Sequence, residues 1–204
     1  WDRELVVGKS TNLISNFFTN CVYGIYGFGE ENYTILKNNF GSNNGASTSN
    51  AITNSCINIE GITKNKITID DENKFFDYNR GIDIFDMTNE SSIHITNNIF
   101  GDGRNTLTDN FAGAAIVLTS AIPILRINKA LIDYNDIGYE SNTNHQPRIG
   151  IHIGNIGGAK IYRNNIYFHL SSTPSNVFRG IRLENANDCE ISENLISNDT
   201  YVED

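Results

Sequence analysis

A short asparagine pattern recurs along almost the whole chain and constrains the fold more than any other feature. The pattern is an aliphatic residue, two variable positions, asparagine, one variable position, and then isoleucine or phenylalanine. Its seven occurrences are Leu13/Asn16/Phe18, Ile35/Asn38/Phe40, Ile62/Asn65/Ile67, Ile95/Asn98/Phe100, Ile132/Asn135/Ile137, Ile161/Asn164/Ile166 and Ile191/Asn194/Ile196. Because a chain that repeats one unit stacks copies of one supersecondary structure, the pattern predicts a repeat architecture.

A second element, a small residue followed by isoleucine, precedes most of these asparagines. It occurs as Gly24-Ile25, Ala51-Ile52, Gly81-Ile82, Ala115-Ile116, Gly150-Ile151 and Gly180-Ile181. The isoleucine and the next repeat asparagine are thirteen residues apart in four cases, namely Ile25 to Asn38, Ile52 to Asn65, Ile151 to Asn164 and Ile181 to Asn194. A spacing that stays constant while the intervening residues change indicates that both elements belong to one rigid unit.

The isoleucines after the small residue alternate with other residues, as in Ile82-Asp83-Ile84 and Ile151-His152-Ile153. A period of two places the aliphatic side chains on one face of a strand and the residues between them on the other. β-Branched residues dominate these segments, and no long segment keeps a helical period. Each repeat therefore predicts several short strands that bury their apolar face only by stacking on neighbouring repeats.

Stacking gives the recurring asparagine a role. A sharp corner between strands needs a residue in the left-handed region, which asparagine tolerates, and its carboxamide both donates and accepts hydrogen bonds. In coils spaced by roughly 4.8 Å, equivalent amides can bond to one another. The predicted ladder consists of Asn16, Asn38, Asn65, Asn98, Asn135, Asn164 and Asn194.

Two repeat architectures have an asparagine of this kind. A leucine-rich repeat has a leucine-dominated unit of nearly constant length. Here isoleucine dominates, and the steps between repeat asparagines vary from 22 residues (Asn16 to Asn38) to 37 residues (Asn98 to Asn135). Variable loops on a constant strand core favour an all-β, right-handed parallel β-helix, a solenoid of about seven coils with an asparagine ladder.

On these motifs the chain resembles the pectate-lyase-like, or parallel β-helix repeat, superfamily from about Leu13 to Ile196. The resemblance implies three strands per coil, with a tight asparagine turn between the second and third strands. The small-residue-isoleucine strands would then form the first sheet and the segments before each asparagine the second. The third sheet would begin at Phe18, Phe40, Ile67, Phe100, Ile137, Ile166 and Ile196.

Neither end carries a capping helix or a polar closing segment, which a solenoid needs to cover its terminal coil. The chain also starts at Trp1 rather than at methionine. We therefore expect residues 1–204 to be a single β-helix domain, a fragment without its end caps, of a longer protein.

In β-helices that resemble this chain, ligands usually lie along the first sheet, walled by loops. The longest variable connections, Gly101 to Gly113, Gly138 to Arg148 and Tyr167 to Phe178, are the candidate walls. The outward positions after the first isoleucine are predicted to be Tyr26, Thr53, Asp83, Val117, His152 and Arg182, with Glu184 two residues beyond. By strand spacing, His152 and Arg182 would be roughly 5 Å apart, and Asp83 about 10 Å from His152.

This column can be interpreted as a catalytic site. His152 is a candidate general base or acid, Arg182 a candidate carboxylate clamp and Asp83 a third catalytic candidate. The candidate substrate-binding residues are Tyr26, Glu184, Arg80 and Arg179. Such a set would suit a polysaccharide lyase or epimerase acting on acidic polysaccharide. The alternative is that these are ordinary solvated side chains, and the chain lacks the catalytic signatures of polygalacturonases, pectate lyases and alginate epimerases.

Composition excludes several classes of partner. The formal charge of −9 and the scattered lysines and arginines argue against nucleic acid, and no run of eighteen apolar residues predicts membrane insertion. Cys21, Cys56 and Cys189 form neither a disulfide framework nor a zinc motif. No cofactor is expected, although the acidic run Asp70–Glu72 is either a Ca²⁺ ligand set or a solvated turn.

Three functions remain open at the level of sequence. The first is glycan or surface binding and display by an extracellular or cell-surface segment of a bacterial adhesin or secreted protein, since asparagine, serine, threonine and tyrosine suit hydroxyl-rich ligands. The second is the lyase or epimerase, and the third is a purely structural spacer. The sequence leaves the ligand and the oligomeric state open.

Overall fold

The structure is a computed structural model that describes residues 4–7, 16–29, 32–41, 52–62, 66–101, 113–124, 127, 129–138, 148–169 and 178–199. Within these ranges the regular elements are all β-strands. In chain order they are β1 (Glu4–Val7), β2 (Phe17–Phe18), β3 (Cys21–Phe28), β4 (Asn32–Leu36), β5 (Asn39–Phe40), β6 (Ile52–Ile62), β7 (Lys66–Asp70), β8 (Lys74–Phe75), β9 (Tyr78–Met87), β10 (Ser92–Thr96), β11 (Ile99–Phe100), β12 (Ala114–Ile124), β13 (Lys129–Asp133), β14 (Asp136–Ile137), β15 (Ile149–Ile156), β16 (Ala159–Tyr162), β17 (Asn165–His169), β18 (Arg179–Glu184), β19 (Glu190–Ser192) and β20 (Leu195–Asp199).

The strands form three parallel sheets, and successive coils add one strand to each sheet. The first sheet has the order β3, β6, β9, β12, β15 and β18; the second has β1, β4, β7, β10, β13, β16 and β19; the third has β2, β5, β8, β11, β14, β17 and β20. This topology confirms the predicted right-handed parallel β-helix. The part of the chain described contains no helix long and apolar enough to cross a membrane.

The core lies between the three sheets and consists mainly of stacked isoleucine. In the first sheet one inward row is formed by Ile25, Ile57, Ile82, Ile116, Ile151 and Ile181. The four central members are fully buried, and burying each such side chain stabilises the fold by about 1.5–3 kcal/mol. The small-residue-isoleucine pattern is thereby confirmed except on β6, where Cys56-Ile57 takes the place predicted for Ala51-Ile52.

The small residue before each isoleucine is required because it lies against the third sheet. A Cβ atom at Gly24 would lie 2.6 Å from the Cys56 carbonyl oxygen and 2.7 Å from the Phe40 ring. A Cβ atom at Gly81 would lie 2.8 Å from the ring of Phe100. The repeat therefore places little or no side chain where the first and third sheets approach most closely.

The asparagine ladder is continuous and differs from the predicted one at a single position. Successive carboxamides are joined by six hydrogen bonds of 2.9–3.1 Å, each from the Nδ2 of one asparagine to the Oδ1 of the next; the members are Asn16, Asn38, Asn73, Asn98, Asn135, Asn164 and Asn194. Asn73, not Asn65, lies between Asn38 and Asn98, and Asn65 lies outside the described residues. Three residues rather than two lie between Ile69 and Asn73, so the coil of β6, β7 and β8 does not match the sequence pattern.

The ladder asparagines do not adopt the left-handed conformation that the sequence suggested for them. In each of the six turns whose residue before the asparagine is described, that residue is left-handed; these residues are Lys37, Glu72, Asn97, Tyr134, Arg163 and Glu193. In the longer third turn Asp71 is left-handed as well. The asparagine is instead selected by its hydrogen bonds, since Asn98 Nδ2 lies within 2.8–3.1 Å of Thr96 O, Ile69 O and Asn135 Oδ1.

The third sheet is anchored by a row of aromatic rings. Phe18, Phe40, Phe75 and Phe100 stack with centroid separations of 4.9, 4.9 and 4.5 Å. The row continues in register through Ile137, Ile166 and Ile196. Phe75 replaces the predicted Ile67, which belongs to β7 in the second sheet, because the prediction for this coil was out of register.

Candidate functional site: the outer face of the first sheet

The outer face of the first sheet carries three rows of side chains, one residue per strand. The leading row is Tyr23, Ser55, Arg80, Ala114, Ile149 and Arg179; the middle row is Tyr26, Asn58, Asp83, Val117, His152 and Arg182; the trailing row is Phe28, Glu60, Phe85, Thr119, Gly154 and Glu184. The middle row is the column predicted from sequence, with one correction. Asn58 stands where Thr53 was expected, because Ile57 rather than Ile52 is the inward residue of β6.

The outer face divides into two polar regions with an apolar strip between them. We call the outward residues of β3, β6 and β9 the aromatic half and those of β15 and β18, other than Ile149, the histidine half. Between them, Ala114, Val117 and Ile149 form a small buried cluster separate from the main core. The predicted candidates therefore fall into two groups, with Tyr26, Arg80 and Asp83 in one and the remaining four in the other.

A cleft of about 270 Å³ opens in the aromatic half. It is lined by Tyr23, Asn58, Glu60, Arg80, Asp83, Phe85, Val117 and Thr119. The residues come from four adjacent strands, so the register of the first sheet determines the shape of the cleft. Most of each connection predicted to wall a groove lies outside the described residues, and that prediction stays a prediction.

Arg80 and Asp83 form an ion pair within the cleft. The Nη1 and Oδ2 atoms are 2.5 Å apart, and the two side chains are only 17% and 8% exposed. Removing one partner of a buried pair leaves the other charge uncompensated, which is strongly destabilising. Arg80 was predicted to bind substrate and Asp83 to act in catalysis, and in the structure each is a partner of the other.

Glu60 is the carboxylate of the cleft that carries no ion pair among the described residues. Asn58 Nδ2 donates to its Oε1 at 2.7 Å, and the Tyr26 hydroxyl lies 3.4 Å from its Oε2. In the trailing row its register neighbours are Phe28 and Phe85. These rings are 70% and 40% exposed, so the carboxylate lies between two accessible aromatic residues.

Tyr26 adds a further accessible ring. It is about half exposed, and its ring centroid lies 5.4 Å from that of Tyr23. Desolvation raises the pKa of the Tyr26 hydroxyl above its usual value, and the nearby Glu60 carboxylate raises it further. The hydroxyl therefore stays protonated at neutral pH and is available as a hydrogen-bond donor.

The histidine half is built around a buried imidazole. His152 is 1% exposed and lies in register between Val117 and Arg182. Burial lowers the pKa of His152 to about 4; the positive charge of Arg182 contributes to this, and Glu184 opposes it. A Cβ atom at Gly154 would lie 3.0 Å from His152 Nε2, so this glycine leaves room for the ring.

The arginines and Glu184 complete the histidine half. Arg182 Nη2 donates to Glu184 Oε2 at 2.9 Å, and the Glu184 side chain is half exposed. Arg179 is exposed and occupies the same row as Arg80, with Ala114 and Ile149 between them. The exposed guanidinium of this half therefore belongs to Arg179.

The three catalytic candidates do not form one cluster. His152 and Arg182 are register neighbours on adjacent strands. Asp83 lies two strands from His152 with Val117 between them, which corresponds to roughly 10 Å by strand spacing. Asp83 is also bound in the buried ion pair with Arg80, on its own strand.

The acidic run at 70–72 lies at the end of β7 and in the turn that leads to β8, and none of its residues lines the cleft. Asp70 Oδ1 accepts hydrogen bonds from the Asp71 amide at 2.6 Å and from Asn97 Nδ2 at 3.0 Å, and Asp71 pairs with Lys37 at 3.3 Å. Within the described ranges, no group of three or more histidine, cysteine, aspartate and glutamate side chains could hold a metal ion. The three cysteines are free thiols.

Sequence reasoning missed Asn58, Glu60, Phe28 and Phe85. Asn58 and Glu60 follow from the correct register of β6, and the signal for that register was present in the alternation Cys56-Ile57-Asn58-Ile59. Phe28 and Phe85 lie two residues beyond Tyr26 and Asp83, on β3 and β9, in the same trailing row as Glu184. Cysteine was not counted as a small residue, and the Ala51-Ile52 pair gave the expected thirteen-residue spacing. The register error removed β6 from the predicted site.

Comparison of the chain with protein-family models, with curated proteins and with solved structures gives no match.

Proposed function

We propose that this chain binds glycans through the aromatic half of its first sheet, as an extracellular or cell-surface β-helix segment. The observation that carries the proposal is the cleft of about 270 Å³ in which aromatic rings and hydrogen-bonding groups converge. The volume lies near the lower end of the range for small-ligand pockets, about 300 Å³. This size suits one sugar residue inserted among the strands, with the rest of the glycan on the surface.

The chemistry of the lining matches that of a sugar. Aromatic side chains present apolar faces that pack against the C–H face of a pyranose ring. Asn58 supplies an amide that both donates and accepts, and Glu60 supplies carboxylate acceptors for hydroxyl groups. A solenoid that displays such a cleft on one sheet would serve an adhesin or a secreted bacterial protein, and the proposal includes that location.

A glycan array followed by titration of the hits tests this proposal. Tyr26→Ala should weaken binding by about fivefold, because it removes one half-exposed ring beside the cleft. Tyr134→Ala is the matched control, since Tyr134 is also about half exposed but follows β13 of the second sheet. An array without hits, or equal losses in both variants, would overturn the proposal and leave the spacer interpretation ahead.

The histidine half supports a second candidate function, a polysaccharide lyase or epimerase. The specific observation is that His152 has a pKa of about 4 and is therefore a neutral, proton-accepting imidazole at pH 7, directly beside Arg182. A guanidinium could hold the carboxylate of a uronic acid while the imidazole removes the neighbouring proton. Against this function, His152 is buried to 1% exposure and Arg182 already pairs with Glu184.

Incubation with alginate, pectin and glycosaminoglycans distinguishes this candidate. A lyase produces unsaturated sugars that absorb in the ultraviolet, and an epimerase changes the uronic acid composition of the product. His152→Gln should abolish either activity if the imidazole is the base. Absence of both changes across the panel would remove the enzymatic candidate.

A further inference from the structure

We infer that Glu60 and the aromatic residues around it form a site for the protonated amine of a hexosamine glycan. The inference rests on the proposed function for the location of the ligand and adds its chemical class. Such a site would prefer a glycan with free amino groups to acetylated glycans and to acidic glycans.

The first step is the placement of the rings. Phe28, Glu60 and Phe85 are direct register partners on β3, β6 and β9, so neighbouring Cβ atoms are roughly 5 Å apart on the same face. The Phe28 ring lies against β6, because a Cβ atom at Gly61 of that strand would be 3.4 Å from the ring. Phe85 and Glu60 line the same cleft. The carboxylate is therefore bordered by aromatic side chains on both neighbouring strands.

The second step is the unused bonding capacity of Glu60. A carboxylate has about four acceptor positions. Glu60 receives one short hydrogen bond from Asn58 and one long one from Tyr26, and no lysine or arginine of the described residues lies within ion-pair distance. An ammonium group entering the cleft would supply the donors that this carboxylate can still accept, with the strength of a charge-assisted hydrogen bond.

The third step is the charge of the cleft. Its charged lining residues are Glu60, Arg80 and Asp83, and Arg80 is already paired with Asp83 at 2.5 Å. One carboxylate is thus left in excess beside aromatic faces, and aromatic faces attract cations. A uronic acid would place a second carboxylate near Glu60, whereas a protonated amino sugar would neutralise it. The electrostatics of the cleft therefore favour amino sugars over acidic ones.

The chain contains its own control for this inference. Glu184 occupies the same trailing row on β18, but its register neighbour is Gly154 rather than phenylalanine. It also pairs with Arg182 at 2.9 Å. A glutamate at the same position in the repeat thus lacks both features that the inference requires.

The experiment is a calorimetric titration of the full chain, at a pH where the sugar amine is protonated. The probes are a glucosamine tetrasaccharide, its fully N-acetylated counterpart and tetragalacturonate. We expect the glucosamine probe to bind tightest, and Glu60→Gln to weaken it by at least about tenfold. Phe85→Leu should weaken it by about threefold, and Glu184→Gln should leave it unchanged. Thermal melting establishes that each variant is folded.

The outcomes separate the inference from the proposed function. If the glucosamine probe does not bind, or binds no tighter than the acetylated one, the inference is overturned, and binding of either other probe still supports the glycan proposal. If none of the three probes binds, the inference is overturned, and the glycan array decides the proposed function. If Glu60→Gln binds the glucosamine probe as tightly as the parent chain, or if Glu184→Gln loses as much affinity as Glu60→Gln, the assignment to Glu60 is contradicted. A lysine-rich peptide that binds as tightly as glucosamine would identify a protein ligand instead and overturn the glycan class.

Discussion

The aromatic half and the histidine half of the outer face use the same backbone positions for different chemistry. Each contains an arginine that is paired with a carboxylate, and one member of each pair belongs to the middle row: Asp83 in the aromatic half and Arg182 in the histidine half. In the aromatic half the ion pair is buried and Glu60 is left among exposed rings. In the histidine half the ion pair is partly exposed and the imidazole is buried. The chemistry of an outward residue is therefore determined by its neighbours on adjacent strands rather than by its position in the repeat.

Both halves depend on one continuous ladder, and breaking it should have the largest effect. Asn98→Ala removes the Nδ2 donor of Thr96 O and Ile69 O and the Oδ1 acceptor of Asn73 Nδ2, and it leaves Asn135 Oδ1 with only the Asn98 backbone amide as donor in the ladder. We expect the free energy of unfolding to fall by about 4 kcal/mol. Urea denaturation followed by circular dichroism measures it.

Asn89→Ala is the matched control for the ladder variant. Asn89 is exposed in the turn between β9 and β10, and its replacement should change stability by no more than about 0.5 kcal/mol. Similar losses in the two variants would show that the ladder has no special role in holding the two halves.

The two ion pairs should differ in how much each contributes to the stability of the fold. Asp83→Asn should cost about 3 kcal/mol, because it removes the carboxylate that pairs with the buried Arg80 guanidinium. Glu184→Gln should cost about 0.5 kcal/mol or less, because the pair with Arg182 is solvent-screened. Denaturation of both variants under one set of conditions checks the difference, and equal costs would contradict the division into a buried and an exposed pair.

The buried imidazole should give the histidine half its own pH dependence. The pKa of His152 is lowered to about 4 from an ordinary value near 6.5, so the unfolded chain binds this proton more readily than the folded one. The stabilisation is fully present above pH 6.5 and is lost as the pH falls towards 4; each unit of depression corresponds to about 1.4 kcal/mol.

Melting temperatures of the parent chain and of His152→Gln across this pH window measure the effect. The variant should lose stability less steeply between pH 6.5 and 4, because it has no group to protonate at this position. Parallel curves for the two proteins would show that the imidazole is not buried in the folded state.

The smallest expected effect concerns the space beside the imidazole. Gly154→Ala places a methyl group 3.0 Å from both His152 Nε2 and Thr119 Cγ2. The variant should lose about 1 kcal/mol of stability. In a His152→Ala background the cost should shrink, because one of the two crowding groups is gone. A double-mutant cycle measures this coupling, and additive effects would contradict the contact.

Much of the fold could be predicted from the chain because each coil repeats the same local requirements. Six of the seven predicted ladder asparagines and five of the six predicted small-residue-isoleucine pairs were in the correct register. The coil of β6, β7 and β8 was predicted in the wrong register, because the extra turn residue before Asn73 and the cysteine before Ile57 broke both patterns there. The same error concealed Asn58 and Glu60, and with them the cleft.

The winding of the chain follows from its amino-acid sequence, because small residues, isoleucines and asparagines recur where close sheet contact, core packing and turn hydrogen bonds require them. Which outward side chains meet depends on the folded structure. The contacts of Glu60 with Tyr26, and its position between Phe28 and Phe85, join residues from different coils. Such contacts depend on the register between strands, and an added turn residue such as the one before Asn73 changes the spacing in the sequence while the strands on either side stay in register.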